Sequence, residues 1–341
     1  MALTLSVLDQ CPVGEGYPPG QALHNSVDLA GLADKLGYNR YWVAEHHGMP
    51  SVASPAPEIL LARITGNTKH IRLGSGGIML PHYAPLKVVE QFAMLEALAP
   101  GRIDLGLGRA PGSSQIEAMA LVRNRETSAY QSDDFGQQLM ELRAFLNQSF
   151  PRDHLFSRIN ISPAMAHKPD VWLLGSSLWS ASAAAQLALP FAFAHFFSGP
   201  NTRAAFEHYF EAFHPTEDSP KPRAIMAIGV LCAPTQEEAD YLGASAAAMW
   251  RRIRKGIFSP IPTPEDALPE LADGDYGDYE PGAEFPRFIR GTPETVHARL
   301  EEIAEKLNLE EMMVITMVHD HQMRRRSYEL LAKAAGLTPR D

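Results

Sequence analysis

Residues 41–47 read Tyr41-Trp42-Val43-Ala44-Glu45-His46-His47, four apolar positions that run directly into three ionisable ones. A short continuous apolar run bounded by polar groups reads as a strand buried on both faces, as in a parallel sheet. Such a strand, ending in a carboxylate and two imidazoles, delivers chemistry to its carboxyl-terminal edge, where α/β folds place their sites. Along an extended chain Glu45 and His47 share one face and His46 takes the other. All three reach one substrate only if the backbone turns there.

Working outward, seven more apolar runs follow the same rule: Leu3–Leu8, Ile71–Leu80, Ile103–Leu107, Val171–Leu174, Phe191–His195, Ala224–Leu231 and Met312–Val318. Helix-length segments separate most of them, among them Ala22–Leu36, Pro57–Thr65, Pro85–Leu98 and Gln322–Ala335. Strand–helix alternation builds either a closed barrel or an open doubly wound sheet. Eight strands in 341 residues favour an α/β fold of the first kind, an eight-stranded parallel (β/α) barrel, with residues 1–341 as one domain. Two stretches, 108–134 and 256–291, exceed ordinary connections and are expected as long loops over the carboxyl-terminal face, the second partly mobile.

The chain carries 30 Lys and Arg against 40 Asp and Glu, a net charge of −10, which argues against nucleic-acid and anionic-membrane partners. Its basic runs, Arg251–Lys255 and Arg324–Arg326, are expected on solvated helix faces or last turns. Two distant cysteines, Cys11 and Cys232, make no disulfide framework and point to a reducing cytoplasm. No apolar run reaches the roughly 20 residues of a membrane span.

Several strand ends carry further punctuation. Gly74-Ser75-Gly76-Gly77-Ile78-Met79-Leu80-Pro81 places three glycines in four residues, which marks either a β-bulge or a ligand pressed against the backbone. Gly106-Leu107-Gly108-Arg109-Ala110-Pro111 fails as a dinucleotide motif because Pro111 occupies the third glycine position and no helix follows, but Arg109 past a strand end suits a phosphate or carboxylate. Gly175-Ser176-Ser177-Leu178-Trp179-Ser180 leads a strand into a helix, offering backbone N–H groups and hydroxyls to an anion. His46, His47, His82 and His195 all lie at or just past strand ends, a gathering that suits proton handling. His319-Asp320-His321 reads as a surface turn rather than a metal site, since adjacent residues seldom converge on one ion. With no Gly-x-Ser-x-Gly elbow, a serine hydrolase is poorly supported.

In combination and in order, the Glu45-His46-His47 cluster, the 74–81 strand, the 99–109 segment, Gly175-Ser176-Ser177 and Gly291-Thr292-Pro293-Glu294 resemble the bacterial luciferase-like flavin monooxygenases over nearly the whole chain. The resemblance implies an eight-stranded barrel binding FMN at the strand carboxyl ends. It makes His46 the catalytic residue for reduced flavin and oxygen. It assigns the flavin phosphate to Arg109, Gly175, Ser176, Ser177 and Ser180. Glu45, Gly76, Gly77 and Met79 complete the cofactor-binding set, with Gly76–Gly77 where a non-proline cis peptide often lies against the ring. His47, His82 and His195 are expected in the substrate pocket, and no metal is expected. Ser176 replaces an acidic residue of luciferase and Gly108 a cysteine, which argues against light emission and an aldehyde substrate.

The expected reaction takes reduced FMN from a separate flavin reductase, forms a peroxyflavin with O2 and passes one oxygen atom to a small organic substrate. Alternatives are hydride transfer with a deazaflavin on the same barrel, or a non-catalytic flavin-binding protein. The apolar perimeter of helices 57–65 and 85–98 exceeds one barrel-facing stripe and, with the resemblance, predicts a homodimer.

Overall fold

The apolar run at the centre of the sequence reading is a strand, β2 (Arg40–Val43), buried at every position. The computed structural model describes residues 3–110, 115–121 and 134–341. Its other strands are β1 (Thr4–Asp9), β3 (Arg72–Ser75), β4 (Ile78–Met79), β5 (Ile103–Gly108), β6 (Asp170–Gly175), β7 (Phe191–Ala194), β8 (Ala224–Cys232), β9 (Phe288–Gly291) and β10 (Glu311–Ile315). They pair in the order β10-β1-β2-β3-β5-β6-β7-β8, and β8 pairs with β10 to close the ring. Each ladder is parallel, as in Val7 beside Tyr41 and Glu311 beside Ile225. The fold is a closed eight-stranded α/β barrel, as the alternation predicts.

Side-chain alternation sorts the core into two layers. Leu8, Trp42, Ala44, Trp172, Ile225, Ala227, Met313 and Ile315 fill the barrel, with Trp42 and Trp172 edge to face at 5.3 Å. Leu5, Val7, Tyr41, Val43 and their counterparts face outward onto the helices. Those helices are α1 (Pro19–Leu36), α2 (Pro57–Thr65), α3 (Pro85–Leu98), α4 (Gln115–Leu121), α5 (Phe135–Asn147), α6 (Leu178–Gln186), α7 (Thr202–Ala212), α8 (Gln236–Arg254), α9 (Pro293–Lys306) and α10 (His321–Ala334). Local signals set their ends. α1 opens on Pro19 and stops at Gly37, whose φ of 91° returns the N–H to the carbonyls of Ala33 and Asp34.

The amino-terminal end of the barrel is closed by buried charge. Asp104 accepts from Arg40 Nη1 at 2.7 Å, Arg72 Nη2 at 2.6 Å and Trp42 Nε1 at 2.9 Å, and Arg40 Nε reaches Glu311 at 3.0 Å. Burial weakens the cation of Arg40, but Asp104 and Glu311 outweigh it and raise its pKa. This face stabilises the fold, and the opposite rim is left for chemistry.

Four expectations need correction. The run Ile71–Leu80 is not one strand: it breaks between β3 and β4, where the Gly76–Gly77 peptide is cis, and ends in a helical turn at Leu80–His82. The 108–134 stretch is more than a loop, since it carries α4, whose Ala118 is buried; its residues 111–114 and 122–133 lie outside the described residues. Segment 256–291 holds a helical turn, Pro264–Ala267, and strand β9, anchored by buried Ile261, Leu271, Phe285 and Ile289. Finally, Arg324–Arg326 lie in the first two turns of α10 rather than its last, toward the end where the helix dipole disfavours cations. Acidic partners offset this: Arg324 is buried against Asp9 at 2.6 Å, Arg325 pairs with Asp28 and Arg326 with Glu329. Arg251 and Arg252 likewise pair, with Asp273 and Glu270.

Cys11 and Cys232 are both free and buried, and burial pushes the Cys232 thiol up to about 12. Among the described residues no helix is long and apolar enough to cross a membrane.

Candidate active site

At the end of β2 the chain keeps its alternation for three more residues. Ala44 packs with the inner core, and Glu45 turns outward and is fully buried. Its Oε1 lies 2.7 Å from both His47 Nε2 and Tyr83 Oη, and its Oε2 accepts from the Met79 N–H at 2.9 Å. His47 and His82 meet edge to face at 5.9 Å, so these two histidines are brought together on one side of the strand.

His46 lies on the other side by that alternation, with its backbone N–H on the Ser54 carbonyl at 3.0 Å. Its Nδ1 is buried and has no hydrogen-bond partner among the described residues. Burial, helped by neighbouring His47, lowers its pKa to about 4, so the ring is neutral at ordinary pH. A neutral imidazole with an unused buried nitrogen is a preformed acceptor or donor for a bound group.

The glycines of the broken strand answer to the barrel's own packing. A Cβ on Gly76 would stand 2.6 Å from a Leu8 methyl, and one on Gly77 2.8 Å from the Gly106 carbonyl oxygen. Strand crowding is thus sufficient reason for both glycines. Met79 packs its sulfur against Gly108, where a Cβ would sit 3.0 Å away.

Past β5 the Arg109 guanidinium lies 4.2 Å above the Trp179 ring, and Trp179 stands in the first turn of α6. The 109 and 175–180 segments are therefore brought together across neighbouring strands β5 and β6, as expected. Ser177 holds the N-cap position of α6 but caps nothing with its hydroxyl, while Ser180 Oγ is buried and donates back to the Ser177 carbonyl at 2.8 Å. Ser180 shapes the turn, and Ser176 and Ser177 stay half-buried at its edge. Gly175 leaves the room that the Ser180 hydroxyl occupies.

His195 has both ring nitrogens engaged within the protein. It is fully buried, with Nδ1 2.6 Å from the Thr202 hydroxyl and Nε2 donating to the Pro286 carbonyl at 3.0 Å. It pins β7 to α7 and to the segment before β9. Residues 319–321 also disperse: His319 meets the Glu15 carbonyl, Asp320 caps α10 and His321 meets Asp28. They line a cleft of about 330 Å³ with Tyr17 and Asn25.

Three contributors escaped the sequence reading. Tyr83 and Trp179 acquire their roles only through partners on other strands. Glu117 of α4 comes so close to Gly48 that a Cβ there would stand 2.6 Å from its carboxylate, which places α4 over the turn after His47. An amphipathic stretch after Pro111 was the available signal for α4.

A buried imidazole nitrogen with no partner among the described residues, an arginine stacked beside a helix N-terminus and a broken β3–β4 strand thus sit on four neighbouring strand ends. The model of the luciferase-like monooxygenase family matches residues 3–311. This chain belongs to the luciferase-like monooxygenases. The luciferase-like monooxygenase of Escherichia coli K12 is 38% identical over 330 residues, 96% of this chain and 96% of its own length. The N-acetyl-S-alkylcysteine monooxygenase of Bacillus subtilis 168 is 35% identical over 337 residues, 97% of this chain and 98% of its own. The solved structure of apo-MsnO8 matches with a TM-score of 0.90 and 44% identity, covering 99% of both chains. The oxygenating constituent of 3,6-diketocamphane monooxygenase from Pseudomonas putida, solved with FMN, shares the fold at a TM-score of 0.73 and 20% identity over the whole of both chains. Membership makes this chain an enzyme of the luciferase-like monooxygenase class.

Proposed function

We propose that the enzyme binds reduced FMN delivered by a separate reductase and transfers one oxygen atom of O2 to a small organic substrate. The observation that carries this reading is the unpartnered, buried Nδ1 of His46 on the rim that also presents Arg109 and the α6 N-terminus. Those residues fit a phosphorylated flavin. Arg109, Ser176, Ser177 and the first N–H groups of α6 would hold the phosphate, because a guanidinium and a helix N-terminus both favour an anion. The Gly76–Gly77 segment and Met79 would back the ring. Reduced flavin supplies the oxygen-activating chemistry.

The protein's own part is positional and electrostatic. His46, held neutral, takes or holds a hydrogen bond at its Nδ1 without adding a charge to the site. His47 and His82 form the adjoining wall, and α4 covers the turn above them, limiting water. Titration with FMN in both redox states, with riboflavin in parallel, tests the reading. Tighter uptake of reduced FMN than of riboflavin supports it, and no uptake of FMN in either state overturns it. A parallel titration with a deazaflavin cofactor decides against hydride transfer if FMN binds more tightly.

The same reading includes a homodimer through α2 and α3. Leu61, Ile64, Val88, Val89 and Phe92 are buried, but Ile59, Met94 and Leu98 expose 70%, 57% and 58% of their surface. Light scattering at micromolar concentration tests it, and a monomer there rules it out.

A further inference from the structure

We propose that Glu45 is a positioning residue, one that fixes the tautomer of His47 and locks the end of β2 to β4 so that His46 faces the barrel mouth, and that it makes no contact with the cofactor. Its catalytic consequence rests on the FMN reading above, but its structural half does not.

The carboxylate meets three donors from within the protein. Two donors meet Oε1, from His47 and Tyr83, and the Met79 N–H meets Oε2, while the side chain exposes none of its surface. An ionised carboxylate only accepts, so His47 must carry its proton on Nε2, and Nδ1 is left as the nitrogen outside the network. Tyr83 serves as the second donor, since burial first and then the charge of Glu45 push its pKa far up and keep the phenol protonated.

The placement explains why a carboxylate is needed there. Met79 lies two residues past the Gly76–Gly77 peptide, where the pairing with β5 is interrupted between β3 and β4. Glu45 ties the end of β2 to β4 just beyond that interruption. His46 stands between two residues, 45 and 47, whose side chains are joined to each other on the outer side, and its own N–H is held by Ser54. Rotation of the chain at 46 would break four hydrogen bonds together, so the imidazole is committed to the inner side. This is the logic of an outer group that orients an inner one.

The test compares wild type with Glu45→Gln, Glu45→Asp and Tyr83→Phe. The first readout is the 15N spectrum of the His47 imidazole without flavin: a single Nε2–H tautomer is expected in wild type and a mixture in Glu45→Gln. The second is the rate of oxidised-flavin return after reduced complex meets O2. Glu45→Gln is expected to speed it by about tenfold or more, with FMN affinity changed by less than about threefold. Glu45→Asp should recover part of the difference, and Tyr83→Phe, which removes one donor, should fall between. An unchanged His47 tautomer in Glu45→Gln overturns the proposal, as does a large loss of FMN affinity with an unchanged reoxidation rate, which would make Glu45 a cofactor ligand. Failure of wild type to bind FMN would instead sink the functional reading and leave the tautomer result standing by itself.

Discussion

The Arg109 guanidinium rests 4.2 Å above the indole of Trp179, so a cation from the end of β5 is carried by the first turn of α6, the helix that follows β6. The stacking sets the guanidinium beside a helix N-terminus, and under the proposed function the two would hold the flavin phosphate together. Replacing Arg109 with Ala is expected to weaken FMN by about 10–100-fold, the worth of a charge-assisted hydrogen bond pair. Riboflavin, which lacks the phosphate, should lose almost nothing. Trp179→Ala removes the stacking along with an edge-to-face contact to Phe135, and the lost stacking should cost FMN about 2–5-fold, from roughly 0.5–1 kcal/mol for an exposed cation–π contact. Fluorescence titration with both flavins checks this, and equal losses for FMN and riboflavin would move Arg109 away from the phosphate.

His46 offers a sharper prediction because its pKa is lowered to about 4 by burial and by His47. If it acts as a neutral imidazole, its contribution is present throughout the range above that value. The ratio of flavin reoxidation rates between His46→Ala and wild type should therefore stay constant from about pH 8 down to about pH 5. An inflection of that ratio near the ordinary histidine value would show that His46 works as a cation. His46→Ala should also release more H2O2 per substrate turned over, while His46→Asn, which keeps a hydrogen-bonding side chain, should release less than the alanine variant.

The barrel was legible from its strands because each apolar run, such as Tyr41–Ala44, is buried on both faces and needs no distant partner to be recognised. The cluster of Glu45, His46 and His47 was legible for the same reason. What was hidden depends on long-range pairing. Arg324 looks like one of three surface arginines until Asp9, 315 residues away, comes beside it. The partners of Glu45 were hidden likewise, because Met79 and Tyr83 lie 34 and 38 residues on. The glycines at 76 and 77 were ambiguous in principle, since a bulge, a close neighbour strand and a ligand all select the same residue. Strand β9 is four residues long inside a Pro- and Gly-rich stretch, too short to show a period.

His195, with both ring nitrogens engaged inside the protein, is a probe of stability. Burial lowers its pKa to about 4, although the carbonyl bonds near Pro286 oppose the shift. The folded protein thus keeps it neutral, while the unfolded chain takes up a proton as pH falls below about 6.5. Stability from this group is full above that pH and declines as pH falls toward about 4, by at most about 3 kcal/mol at roughly 1.4 kcal/mol per unit. His46 adds a loss of the same sign. Urea midpoints measured across this range should fall for wild type and fall less steeply for His195→Gln, which should start lower because it disturbs the tie to Thr202 and Pro286. Parallel slopes for the two proteins would mean that His195 is not held neutral.

The buried pair of Asp9 and Arg324 should dominate the stability of the β1–β10 seam. Burial raises the pKa of Asp9, but Arg324, with donors from Ser26, Tyr41 and Cys11, outweighs it and holds the carboxyl below its ordinary value. Arg324 Nε also donates to the Thr316 carbonyl at 3.1 Å, so the pair links the ends of β1 and β10 to α10. Removing one member leaves the other charged and without its counter-ion in the interior. Asp9→Asn or Arg324→Met is therefore expected to cost about 3–5 kcal/mol each. The double variant Asp9→Leu with Arg324→Met removes both charges and should recover most of that loss, since a buried pair gains little over apolar packing. Equilibrium urea unfolding of the single and double variants closes the cycle. Additive losses would show that the two residues stabilise the fold through separate contacts rather than through each other.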